Sequence, residues 1–339
     1  MAEDSAESLE EQLDEGRLVL QVTPEELQEA RVRRGGLAEA LEDAFPGSRI
    51  YVNGSVAHGD ANTPLTDVDL GVVVKEADGY GPNGLGPRPL MEQARDAIKD
   101  HLKDGYPKLT VTIEGQKRAV LVRFGDPVTP GQDDFTADVI VAIDNLTRPG
   151  LFIPNMKLPE GWDRADPETH TELVLMAIEA TDRTFARTIR LLKHWRDHHG
   201  KPLCSWNIKA LALECIAEEP MPLLEALEKF FTHAAKSITD GLTEDPAKVA
   251  GKIKLPKGMT RESVAWRLGL ARDKIQEAIE HKQAGRPARA QHALHSVLPE
   301  VIPDSSSAAQ MAEEAKRITT GVGMSTVAAP VPTRAWAPE

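Results

Sequence analysis

Two aspartates spaced two apart, Asp67 and Asp69, open an apolar run that ends at Val74. Residues at that spacing on a strand share a side. The carboxylates therefore project together, while Val68 and Leu70 face the other way into a core. Acids held a few ångströms apart repel unless a cation sits between them. A divalent metal with oxygen ligands resolves the conflict, most often Mg2+, with Mn2+ as the alternative. Upstream lies Asn53-Gly54-Ser55. Gly54 lets backbone approach a ligand closely. Ser55 is expected to open a short helix, whose free N–H groups favour an anion. A third acid, Asp138, stands near the start of a second strand expected over residues 135 to 144. If the two strands are neighbours, Asp67, Asp69 and Asp138 form one catalytic cluster able to hold two metal ions. An anion cradle facing such a cluster is the minimal equipment for handling a nucleoside triphosphate.

These groups need a scaffold. Thr23-Pro24-Glu25-Glu26 combines a capping Thr, a Pro at the first helical position and an acid three residues on. It predicts a helix running toward Phe45, bent at Gly35-Gly36. A short strand over residues 50 to 52 leads into the Gly-Ser turn. Residues 78 to 89, DGYGPNGLGPRP, predict an irregular surface connection, with a mobile lip on the site as the other reading. A helix is expected over 90 to 103 and strands over 109 to 113 and 119 to 124. The fold class is α+β: a mixed sheet with flanking helices, plus a C-terminal helical lobe. From Pro167 to about Leu298 the pattern is helical, with breaks near 200, 220, 241–258 and 285. The expected organisation is a flexible N-terminus over 1–20, frayed or weakly helical, a catalytic lobe over 21–165, a helical lobe over 166–302 and a flexible tail over 303–339.

Composition narrows the function classes. The 339 residues suggest about two domains, and the net charge is −13. Sequence-independent nucleic-acid binding needs basic surface to displace counterions, so it is not expected as a main function. The two cysteines, Cys204 and Cys215, read as reduced thiols. No apolar stretch approaches the roughly 20 residues of a membrane span, and the acidic start carries no secretory pattern. A cytoplasmic location without membrane association is expected.

The helix predicted around 170–199 carries Phe185, Ile189, Leu192 and Trp195 at core spacing. Arg183, Arg187, Arg190 and His194 form a second stripe, read as a solvated face or as a collector of phosphate charge. Lys193 sits between the two. His194 and His198 are read as solvent-facing rather than as metal ligands. The basic stretch 248–258, KVAGKIKLPKG, reads as a solvated loop, with a contact to an activating nucleic acid as the other reading.

Gly54-Ser55, then Asp67-Val68-Asp69, then Asp138 on a later strand resembles the DNA polymerase beta-like nucleotidyltransferases. RLLKHW (190–195) followed by CSWNIKALALECI (204–216) resembles the bacterial CD-NTase group, relatives of oligoadenylate synthase and cyclic GMP-AMP synthase. So do LFIPNMKLPEGWDRADPETHTELV (151–174) and Asp245-Pro246. The resemblance covers roughly residues 20 to 300. It implies that Asp67, Asp69 and Asp138 hold Mg2+ and that Gly54 and Ser55 hold a donor triphosphate. It further implies that Lys193 and Ser205 grip the outer phosphates and that Trp206 stacks on a base. The family residue after the Ser is usually Tyr or Phe, so Trp206 is a departure that alters the fit for the base. The implied activity is synthesis of a cyclic di- or trinucleotide from NTPs in antiphage (CBASS-type) signalling, sensed by a separate effector. Transfer of a nucleotide to a single acceptor, such as a tRNA, a protein or a small molecule, is the alternative. A catalytically silent nucleotide-binding module is a third reading, which the intact acid triad opposes.

Overall fold

The computed structural model describes residues 8–129 and 131–322. Seven strands among them form one sheet: β1 (Arg49–Asn53), β2 (Asp67–Val74), β3 (Thr110–Thr112), β4 (Val120–Arg123), β5 (Thr136–Asp144), β6 (Leu151–Pro154) and β7 (Trp162–Ala165). The order is β1-β2-β5-β4-β3, with β6 paired to the end of β5 and β7 to β6. β2 and β5 run parallel, and every other pairing is antiparallel. The sheet is mixed, as expected. The hairpin β6–β7 was not anticipated: both strands are only four residues long, too short for a visible alternation.

The described helices are α1 (Leu9–Val19), α2 (Pro24–Ala44), α3 (Gly54–Ala57), α4 (Arg88–Leu102), α5 (Pro167–Ala180), α6 (Thr184–His198), α7 (Ser205–Leu213), α8 (Leu223–Asp240), α9 (Arg261–Gln283), α10 (Pro287–Val297) and α11 (Ser307–Val322). α2 begins at the expected capping box: Thr23 accepts from the Glu26 N–H, and Glu26 accepts from the Thr23 N–H. It is one continuous helix through Gly35-Gly36. A Cβ at Gly36 would come within 2.8 Å of Leu102, so the missing side chain lets α4 pack closely. α2 and α4 cover one face of the sheet. Val68, Leu70, Val72 and Val74 of β2 and Val139, Val141 and Ile143 of β5 meet Leu37, Leu41, Met91 and Ile98 there. Each such buried aliphatic stabilises by about 1.5–3 kcal/mol. A one-residue slip of β2 would drive its acids into this core, so the register is strongly specified.

A second core lies in the helices. Phe185, Ile189, Leu192 and Trp195 of α6 are all fully buried in it, against Phe230 and Phe231 of α8 and Leu268 of α9. α1 belongs to this core as well. Leu9 and Leu13 are buried in it, Ser8 and Glu11 form a capping box, and the Glu10 carboxylate accepts from the Leu223 and Leu224 N–H groups that open α8. The expectation of a flexible segment over 1–20 is therefore corrected for residues 8–20. Its acidic residues are a helix cap and a solvent face, and its few leucines suffice to dock it. Residues 307–322 of the expected flexible tail are likewise helical, as α11, and Glu313 accepts from the Ala288 and Arg289 N–H groups at the start of α10. Residues 1–7 and 323–339 lie outside the described residues. No described helix is long and apolar enough to cross a membrane.

One buried cation pins the first core. The Arg33 side chain is only 1% exposed. Its guanidinium lies 4.8–5.3 Å from the ring centres of Tyr106, Phe124 and Phe135, and it donates to Glu29, the Asp126 carbonyl and the Asp126 carboxylate. Replacing Arg33 with Ala removes this filling and its cation–π contacts. It should lower unfolding free energy by roughly 3 kcal/mol in a denaturant titration, with little change in the binding of ligands to the folded fraction.

Candidate active site

Alternation along β2 and β5 builds the site. One face of each strand feeds the core under α2 and α4, so the other face must carry Asp67, Asp69 and Asp138. Parallel pairing sets Asp69 directly opposite Asp138, and antiparallel pairing sets Asn53 of β1 opposite Asp69. The three expected acids therefore stand together on one sheet face. Further along this face Tyr51, Val73 and Ala142 form a small apolar floor, and Gly71 makes room for the Tyr51 ring.

The Gly-Ser turn is fitted to the acids. Asn53 caps α3 by accepting from the Gly54 N–H at 2.7 Å. The helix thus opens at Gly54, one residue earlier than the expected start at Ser55. Gly54 has φ +78°, and a Cβ on it would collide with the Asp69 carboxylate. Glycine is required there twice over, for the left-handed backbone and for the approach to Asp69.

The acids look across a cleft of about 1080 Å3. Gly54, Ser55, Asp67, Asp69, Lys193, Ser205 and Trp206 all line it. Asp138 is not among the lining residues; it stands beside Asp69 on the neighbouring strand, and its charge acts on Asp69 as that of Asp67 acts on it. Burial first, then the charges of Asp67 and Asp138, push the Asp69 carboxyl up to about 7. Burial and then Asp67 likewise raise Asp138. Among the described residues no group of three or more His, Cys, Asp or Glu side chains is arranged to hold a metal ion. The donor chemistry nevertheless fits a hard divalent cation: carboxylate oxygens only, crowded enough to oppose each other's ionisation.

The far wall belongs to the helices. Ser205 opens α7 as expected, one residue after its cap Cys204, and its hydroxyl accepts from Arg196. Trp206 leans one face on His170, ring centres 4.3 Å apart, while His170 meets the buried Asp245. Asp245 in turn accepts from the Val249 and Ala250 N–H groups, which brings Lys252 and Lys254 of the basic stretch to the cleft wall. That stretch is thus not merely a solvated loop. The Arg183–His194 stripe does not reach the cleft: none of its four residues lines it. Arg190 donates to the Gly59 carbonyl instead, and His194 is buried against the Pro299 carbonyl. Residues 78 to 89 supply no lip either; Trp162 ties that loop down through the Leu85 carbonyl at 2.9 Å.

Sequence reasoning missed Lys209, whose ammonium lies 2.8 Å from Asp60. Its signal was present: Lys209 is four residues after Ser205, one turn along the same helix face. His58 accepts from it at Nδ1, 2.7 Å away, because an ammonium can only donate. The other ring nitrogen therefore carries the proton and donates to Thr171 at 3.1 Å. Burial, then the Lys209 charge, lower His58 to about 3, so it is neutral.

With this geometry in view, comparison with known proteins is informative. No family model matches the chain. Poly(A) RNA polymerase GLD2-B of Xenopus laevis is 22% identical over 213 residues, 60% of this chain and 35% of that protein. GLD2 of Xenopus tropicalis is 24% identical over 215 residues, with 60% and 34% covered. The chain thus spans about a third of the length of these relatives. The CD-NTase CdnG of Bradyrhizobium diazoefficiens in complex with GTP superposes with a TM-score of 0.63 at 14% identity, over 87% of this chain and 99% of the other. This chain has the CD-NTase fold. Vibrio cholerae DncV bound to 3′-deoxy GTP gives 0.64 at 14% identity, with 85% and 93% covered. DncV cyclic AMP-GMP synthase with the linear intermediate 5′ pppA(3′,5′)pG gives 0.56 at 13%, with 87% of each covered. Within this fold Asp67 and Asp69 of β2 and the Lys193–Ser205 wall of α6 and α7 line one cleft.

Two outcomes follow from the geometry. Gly54→Ala should leave the protein folded, at a cost of roughly 1–2 kcal/mol, while cutting nucleotide turnover at least about 100-fold. The second concerns Asp69, which binds its proton more tightly folded than unfolded. Its contribution to stability is present below its ordinary value of 3.8 and is lost as pH rises through about 7. Without divalent cation, Asp69→Asn should therefore gain on wild type in melting temperature as pH rises from about 5 to 8. Mg2+ should restore wild type far more than the variant.

Proposed function

We propose that this protein is a metal-dependent nucleotidyltransferase that joins NTPs into a cyclic di- or trinucleotide signal read by a separate effector, as in antiphage defence. The single observation behind this reading is the three-acid face of β2 and β5 opposing Lys193, Lys209, Ser205 and Trp206 across one cleft. Asp67, Asp69 and Asp138 would hold Mg2+, which supplies charge neutralisation and hydroxyl activation when bound.

The chain's own residues do the rest. Gly54 and Ser55 offer backbone and hydroxyl at the acids' edge for the donor triphosphate. Lys193 and Ser205 hold its outer phosphates, and the part of the half-buried Trp206 ring that lines the cleft supports a base. Stacking of this kind is worth about 1–3 kcal/mol per base and tolerates different bases. A ribose hydroxyl attacks the α-phosphorus; the new P–O bond forms as the bond to the bridging oxygen breaks. Pyrophosphate leaves and the hydroxyl proton passes to the carboxylate cluster. Catalysis is positioning plus electrostatics and uses no protein nucleophile. A cleft of about 1080 Å3 is ample for two nucleotides, which a ring-closing second transfer needs.

The likeness to poly(A) RNA polymerases favours a second reading, extension of an RNA 3′ end. The net charge of −13 counts against it. Incubation with each labelled NTP and Mg2+ or Mn2+ separates the two. A phosphatase-resistant small product is expected from wild type and none from Asp67→Asn. Label found only on added RNA would favour the polymerase, and full activity in Asp67→Asn would overturn both.

A further inference from the structure

Asp60 is the most enclosed carboxylate near the cleft, with no exposed surface at all. It belongs to the Gly-Ser loop: its N–H donates to the Ser55 carbonyl at 3.1 Å. Its side chain faces two lysines from the other lobe. Lys209 of α7 approaches Oδ2 at 2.8 Å, and Lys193 of α6 approaches Oδ1 at 3.5 Å while donating to the Asp60 carbonyl at 2.9 Å. Neither carboxylate oxygen has a well-directed hydrogen bond, so the contact is one of charge. Both lysines are nearly buried yet line the cleft. A carboxylate removed from water is costly unless paired, and two ammoniums side by side repel unless an anion joins them.

We infer that Asp60 is a positioning residue that gathers Lys193 and Lys209 into a single two-lysine clamp for the triphosphate of the bound nucleotide. The inference rests on the nucleotidyltransferase reading above and adds to it a second cation and the group that aims both. Asp60 cancels one of the two charges, so the clamp offers one net positive charge at the cleft. His58 is neutral and completes the fixing of Lys209 by accepting from it, with Thr171 of α5 behind. The same contacts join the Gly-Ser loop to α6 and α7, so the donor's two phosphate-binding walls share one anchor.

The test measures binding of an ATP analogue with a methylene between its α- and β-phosphorus atoms, beside adenosine, by calorimetry in Mg2+. In Asp60→Asn the analogue should bind at least about tenfold more weakly, while adenosine binds as to wild type. A purely structural tie between lobes would weaken both alike, and that result overturns the inference, as does unchanged affinity for the analogue. Lys209→Gln, which leaves Asp60 its pairing with Lys193, should show the same selective loss and decides the matter if Asp60→Asn fails to fold. Wild type that binds neither ligand overturns the nucleotide reading itself, and this inference with it.

Discussion

Mutual repulsion of three carboxylates on one sheet face is the constraint around which this molecule is arranged. Asp67, Asp69 and Asp138 are brought together by β-pairing, whose hydrogen bonds are indifferent to side-chain charge. The apolar residues between them lock that pairing, because the opposite face of β2 and β5 is the core under α2 and α4. The fold thus spends packing energy to hold a charge conflict in place. Burial and the charges of its neighbours lift the Asp69 carboxyl to about 7. A site in this condition is ready for a cation, and the opposing wall is ready for an anion.

The acid triad lies on the sheet, while Lys193 and Lys209 come from α6 and α7. Asp60 links the two sides, a residue of the Gly-Ser loop that meets both lysines. Similar logic explains why an acidic protein can still present basic groups where they are needed. Lys252 and Lys254 reach the cleft because Asp245 folds their loop back by accepting from two backbone N–H groups. Local hydrogen bonding places them, and the overall charge has no bearing on it.

Much of the sheet and of the acid cluster was legible in the sequence because both rest on short-range rules. The two-residue spacing of Asp67 and Asp69 and the apolar alternation around them fix a face without knowledge of the rest. The core face of α6 was equally plain from Phe185, Ile189, Leu192 and Trp195. What escaped depends on contacts between distant segments. Asp60 and Lys209 are 149 positions apart, and neither stands in a pattern that marks it alone. The cationic stripe was legible only in part, because charge at helical spacing says nothing of what covers it: Arg183 is solvent-exposed, while Arg190 and His194 meet the Gly59 and Pro299 carbonyls. α1 was underestimated since its docking needs only Leu9 and Leu13, while its many acids dominate the composition.

That docking has a mechanical effect. α1 sits in the helical core, with Gly16 packed hard against Val301, and α2 sits under the sheet. The chain therefore passes between the lobes twice, once at residues 20–23 and again at 165–167. A single crossing would leave the lobes free to twist and slide. Two crossings tie the two cores at two points, and the contacts of Gly59, Asp60 and Asn62 with α6 and α7 add a third tie beside the cleft, so its opposing walls are held in register from three places.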